Sequence, residues 1–174
     1  MRLTEKQTTT LRSITVSAML LAVLVAQEEL LVLIPNVSLT PLLIVLYAAV
    51  LPFHFMVLLV MSYVLLDSMF MGTLDLMYMI PMVFAWLTLC FFGRIWKDKF
   101  IAVTLFTFFF GFLYGWFFIP TKMIMLDVFH VWPYLLSDLP FEAIMAVSNL
   151  ILMVVLYRPL KNVLTRLIRR DIRE

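Results

Sequence analysis

YLLSDLPFEAIMAVSNLILMVVLY, residues 134–157, decides the fold. The stretch is longer than the about 20 residues a helix needs to cross a bilayer, and it holds no basic residue. It is also not uniformly apolar. Asp138, Glu142 and Asn149 are separated by four and seven positions, which at about 100° per residue confines them to an arc of roughly 40°. Lipid cannot solvate such a stripe, so the stripe must face protein or water. The segment therefore reads as one membrane helix of a bundle with a polar interior.

Composition extends that reading to the whole chain. Of 174 residues, 64% are hydrophobic and 14% charged, and the mean hydropathy is +1.07. A soluble domain of this length cannot hide so much apolar surface, whereas a membrane protein has no need to. The length allows five or six crossings. Six apolar segments are predicted, at about 13–34, 39–52, 53–72, 76–93, 100–119 and 133–157, within a single domain spanning 1–174. The second is short and parted from the third only by LPFH, so the pair reads as a tight hairpin or one bent element. Pro41, Pro81 and Pro140 fall in or near helix starts, where neighbours must satisfy the freed carbonyls. The polar opening MRLTEKQTTTLRS has no small-residue cleavage site after the first apolar run, which reads as a retained helix.

Charge predicts an orientation. Six crossings put Arg2, Lys6, Arg12, Arg94, Lys97, Lys99 and all six basic residues beyond position 157 on one side, and only Lys122 on the other. The positive-inside rule makes that basic side cytoplasmic, so both termini are expected inside. Residues 158–174 place Leu160, Val163, Leu164, Leu167 and Ile168 at helical spacing among basic residues, as a basic amphipathic tail would. Ordinary topology-setting charge explains the same pattern.

The acids run the other way. Glu28, Glu29, Asp67, Asp75, Asp127, Asp138 and Glu142 all fall in the outer half or outer loops. Asp127 reads as a wet headgroup residue. On the fourth segment Asp75, Met82 and Trp86 share an arc with Tyr78 nearby, and on the third Tyr63 stands one turn from Asp67. TKMIMLDVFHVWPY adds His130 and Trp132. Acids, aromatics and an amide converging on one end describe a solute pocket. An interhelical hydrogen-bond network that merely holds the bundle together would use the same residues. Carboxylates opposed by one distant lysine favour a cationic or donor-rich solute.

No phosphate-binding GxxxxGK[ST] loop, HExxH or GxSxG is present, and Cys90 stands alone in an apolar run. His54, at a turn, suits capping better than catalysis. His130 with Asp138 is too small a set for a metal site. The chain is expected to be no enzyme, to carry no cofactor or metal, and to bind no nucleic acid.

SAMLLAVLVAQEELLVLIPN, residues 17–36, spaces Ala18, Ala22 and Ala26 four apart. Such a smooth face lets another helix approach closely in lipid. Gly111 and Gly115 form a second small pair, which suits packing within the bundle; the alanine stripe suits another subunit.

These features together resemble the substrate-binding S components of energy-coupling factor (ECF) transporters. The resemblance covers nearly the whole chain: its size, six helices, both termini inside and the alanine stripe. LPFEAIMAVSNLILMVVLYRPLKNVL, residues 139–164, looks like that family's last helix and its cytoplasmic exit. IPNVSLTPLLIVLYA and VLLDSMFMG look like segments of S components of unassigned specificity. The resemblance implies a six-helix bundle in a prokaryotic cytoplasmic membrane that binds a vitamin or related micronutrient near its outer face. It implies docking through Ala18, Ala22 and Ala26 on a transmembrane coupling subunit driven by two ATPase subunits. The implied pocket residues are Asp75, Tyr78, Trp86, His130, Trp132, Asp138, Glu142 and Asn149, with Glu28, Glu29 and Asp67 beside them. This set matches no single vitamin subfamily. Thiamine-like or other amine-bearing compounds fit the acidic balance, while pantothenate, riboflavin and cobalamin stay open. Two other classes remain. SYVLLDSMFMGTLDLMYMIP faintly resembles the middle segment of the rod-shape-determining MreD scaffolds. A self-sufficient secondary transporter would use Asp138 and Glu142 as a proton relay, though no inverted halves are visible.

Overall fold

A computed structural model describes residues 5–31, 33, 37–72, 74–126 and 131–173. All regular structure among them is helical: α1 (Glu5–Leu31), α2 (Thr40–Val50), α3 (Phe53–Phe70), α4 (Leu76–Ile95), α5 (Phe100–Phe117), α6 (Ile119–Leu126) and α7 (Val131–Arg173). Five stretches are long and apolar enough to cross a membrane: Ile14–Leu31, Phe53–Phe70, Leu76–Ile95, Phe100–Met125 and Val131–Leu167. The apolar segments read from the sequence each correspond to a helix. Two features differ from that reading. The short α6 follows α5 after a break at Phe118, and the basic tail is no separate element but the continuation of α7.

Local chemistry sets the boundaries. Pro41 sits in the first turn of α2, where its missing N–H would have no partner in any case. Pro52 turns the chain into α3. Gly72 closes α3 at φ 69°, a left-handed conformation that a Cβ would strain. Asp75 begins α4 from extended backbone, and its carboxylate accepts the Met77 N–H at 2.9 Å.

α2 is the hub. With 11 residues it is short, yet every side chain from Thr40 to Ala48 is buried, and it touches α1, α3, α4 and α7. Its last carbonyls are capped from α4: Arg94 Nη1 donates to Leu51 O at 2.7 Å, which supplies a partner that a helix end lacks by itself. Nearby, Tyr157 of α7 donates to Lys97 O at 3.0 Å, and Lys161 pairs with Asp98 at 3.4 Å. The basic residues of the α4–α5 turn and of α7 thus gather at one end of the bundle.

Helix contacts use small residues where backbones meet. A Cβ added to Gly111 of α5 would stand 2.5 Å from the Ala146 backbone of α7, so this glycine sets the approach of the two helices. That fits the expectation of packing within the bundle. Pro81, inside α4, removes the N–H that would bond to Met77 O. The freed carbonyl instead accepts Thr121 Oγ1 of α6 at 2.8 Å. A helix absent from the sequence reading therefore repairs a proline that the reading flagged.

Candidate functional site

The site forms at the end opposite the basic turns, where α1, α3 and α5 finish and α4 and α7 start. Its first part is a fixed carboxylate. Glu28 Oε2, in the last turn of α1, accepts from Gln27 Nε2 at 2.9 Å, Ser38 Oγ at 2.8 Å and Thr40 Oγ1 at 2.6 Å. Gln27 Oε1 in turn accepts the Leu39 N–H at 2.9 Å. These bonds tie the end of α1 to the start of α2 and aim one carboxylate inward. Such charge-assisted bonds are roughly twice as strong as neutral ones.

Around Glu28 opens a cavity of about 510 Å3, a usual size for a small-molecule site. Glu29 stands exposed at its rim, while Asp67, only 6% exposed, forms part of its wall. Among the described residues Asp67 has no hydrogen-bond or ion-pair partner. The rest of the wall is aromatic. Trp86 packs edge-on to Tyr63 at 6.1 Å between centroids and lies 5.0 Å from Tyr114. Tyr114 meets Phe118 at 5.2 Å, and Phe118 meets Tyr78 at 6.5 Å. The Trp86 indole is 3% exposed, and its Nε1–H is left without an acceptor. A buried donor in that state is uncommon and costly.

A second cavity, of about 360 Å3, adjoins the first. Tyr78, Tyr114, Phe118 and Met145 line both. Lys122, Tyr134, Asp138 and Glu142 supply further polar lining of the second, with Gly111, Gly115 and Phe141 beside them. Glu142 is 7% exposed and lies directly against Gly115, whose missing side chain leaves room for its carboxylate. Lys122 Nζ stands 5.4 Å from the Tyr78 ring centroid, a cation–π contact on the wall that the two cavities share.

The predicted residues divide accordingly. Glu28, Glu29, Asp67, Tyr78 and Trp86 line the first cavity, and Tyr78, Asp138 and Glu142 the second. Three others line neither. Asp75 caps α4. Trp132 is 76% exposed. Asn149 is buried between α7 and α5, donating to Thr107 O at 3.1 Å. His130 and Asp127 lie outside the described residues. No three His, Cys, Asp or Glu among the described residues stand close enough to hold a metal ion. Sequence reasoning missed Gln27, Ser38, Thr40, Tyr114 and Phe118. For the last two a signal existed, since with Phe110 they recur every four residues along α5. Ala18, Ala22 and Ala26 are all exposed along α1. Comparisons of the chain with family models, with curated proteins and with solved structures gave no match.

Proposed function

We propose that this chain is the solute-binding membrane subunit of an energy-coupling-factor-type uptake system, an S component for a vitamin-like micronutrient. The observation that carries the reading is the first cavity: a ligand-sized space at the acidic end of an otherwise apolar helical chain, with the Asp67 carboxylate in its wall and without a partner among the described residues. A network serving only to hold helices together would pair Asp67 and would close the space. Basic residues at the opposite end then face the cytoplasm together with both termini, by the positive-inside rule, and the cavity opens outward. On this reading the short, buried α2, about 16 Å long, returns the chain through the protein interior as the sixth segment without spanning the bilayer by itself.

The chemistry asked of the chain is binding and release. Glu28, held by three donors, and the aromatic wall orient the solute without reorganising. Exposure of the alanine stripe, flanked on α1 by the exposed Met19 and Val23, suits docking on a coupling subunit powered by ATPases. Ala26 lies one residue from Gln27, so docking on α1 has a direct route to Glu28 and the cavity. Docking changes affinity only through contacts that differ between the free and docked states.

The test is to purify the protein in mild detergent and identify by mass spectrometry any compound released on denaturation. One equivalent of a small organic compound supports the reading. An empty protein that brings down cell-wall machinery, and that no vitamin panel stabilises, overturns it in favour of a scaffold.

A further inference from the structure

We infer that the solute is an amphiphile, a compact polar head on one flexible apolar tail: the head sits in the first cavity and the tail leaves sideways along α7. The inference rests on the solute-binding reading and names the class of solute. It follows from how the helices close into a ring. α1 packs on α3, α3 on α4, α4 on α5 and α5 on α7, but α7 reaches α1 chiefly through α2. α2 starts only at Thr40, level with the last turn of α1, where Thr40 Oγ1 donates to Glu28. Outward of Thr40 the wall between α1 and α7 thus contains no helix. Val37 and Ser38 of the α1–α2 connection stand in this seam.

The two sides of the seam differ in chemistry. Ser38 turns inward and donates to Glu28 at 2.8 Å. Its neighbour Val37 lines the first cavity and also a groove of about 610 Å3 that runs along α7 past Ala143, Ile144, Val147, Ile151 and Leu152. Ser148 is the one polar residue among the described lining of that groove. From Ala143 to Leu152 the groove spans about 14 Å of helix, all of it within the apolar stretch Val131–Leu167. Ile144, Val147 and Ile151 stay about half exposed. A wholly polar solute in the first cavity would face hydrocarbon at the seam, where nothing replaces its lost water. A tail removes that penalty. It covers the apolar side of Val37 and follows α7 towards the middle of the bilayer, parallel to the lipid chains. The head then stays at the level of Glu28 and the donors fixed around it.

The experiment reconstitutes the whole chain in nanodiscs of dioleoylphosphatidylcholine and reads the Tm with three probes: sphinganine, serinol (its head without the tail) and octadecanol (a tail with a minimal head). Any compound that survives transfer into this synthetic lipid is identified in parallel by mass spectrometry. Sphinganine should raise the Tm saturably, the other two should not, and a retained native compound should carry an apolar tail. Ile151→Trp fills the far end of the groove, so it should weaken sphinganine about tenfold by overpacking and spare an octyl-tailed analogue. Val147→Trp, nearer the seam, should weaken both, and it is the check should Ile151→Trp fail to fold. Ile101→Trp, at an exposed position of α5, should weaken neither. A stoichiometric compound without an apolar tail, or stabilisation by serinol as strong as by sphinganine, overturns the amphiphile and leaves the solute-binding reading standing. Bulk phospholipid that washes out on transfer, with no response to sphinganine, marks the groove as ordinary lipid contact and overturns the amphiphile as well. A protein that retains nothing and is stabilised by no probe and no vitamin overturns both readings.

Discussion

Asn149 and Asp67 show how different two buried polar residues can be. Asn149 spends its amide on Thr107 O of the neighbouring helix; Asp67 spends its carboxylate on nothing among the described residues. Asn149→Leu should therefore cost only about 0.5–1.5 kcal/mol of stability, the usual value of such a bond, and leave solute affinity unchanged. Thermal unfolding and ligand titration on one preparation check both halves. Loss of affinity at unchanged stability would move Asn149 into the pocket. Its polar stripe was legible in the sequence because helical periodicity puts Asp138, Glu142 and Asn149 on one face. Periodicity does not say which element that face meets, or at what depth. Glu142 lines a cavity, and Asn149, two turns further on, meets a backbone carbonyl instead. Asp75 misled for another reason. An aspartate just before an apolar helix is chemically a capping residue, and that local role took it out of the cavity.

At the scale of the helices, the prolines and glycines carry the argument. Thr121→Val removes the donor that satisfies Met77 O and should destabilise the protein by about 0.5–1.5 kcal/mol, the usual value of a hydrogen bond that is only partly buried. Pro81→Ala restores an N–H for the same carbonyl. In that background the effect of Thr121→Val should largely vanish, which a double-mutant cycle by denaturation in detergent detects. Additive losses would mean that the hydroxyl works by some other contact. The two glycines of α5 should also part company. Gly111→Ala meets the Ala146 backbone, which cannot swing aside, and should cost about 1–3 kcal/mol by overpacking. Gly115→Ala meets a carboxylate that can rotate, so it should spare the fold and reshape the second cavity. On α1, Ala22→Trp replaces an exposed residue. On the proposed function, uptake by the assembled transporter should fall to background while the isolated subunit still binds solute; loss of both would count against docking through that face. The helices themselves were almost wholly legible in the sequence, since apolar length and Pro or Gly punctuation are local signals. α6 was not. Pro120 in its first turn was a local sign of a new helix start, but the apolar run continues through it, and the helix's purpose lies in a proline 40 positions away from Thr121.

For the whole molecule, the separation of charge was visible in the sequence and the assembly of the site was not. The first cavity draws on five helices and the α1–α2 connection, so no window of sequence contains it. On the proposed orientation, a single cysteine placed at exposed Leu33, in a Cys90→Ala background, should react with an impermeant maleimide in intact cells. One at exposed Val163 should react only after lysis. The reverse pattern would invert the molecule and remove the outward-facing pocket.

The two prolines within α7, Pro140 and Pro159, have a consequence of their own. At 1.5 Å per residue they stand about 29 Å apart, close to the hydrocarbon thickness of an ordinary bilayer, about 30 Å. Helices bend most readily at such residues, and a bilayer centred between them would put the bendable points at its two water lines. Asp138 would then lie among the headgroups, and Glu142 would sit half a turn below them, at the depth where a solute first loses its hydration. A segment cut to that length also works as a gauge. In thinner or thicker bilayers the stretch between the prolines must tilt or its ends must be dragged out of register, and solute affinity should be highest where bilayer and segment match.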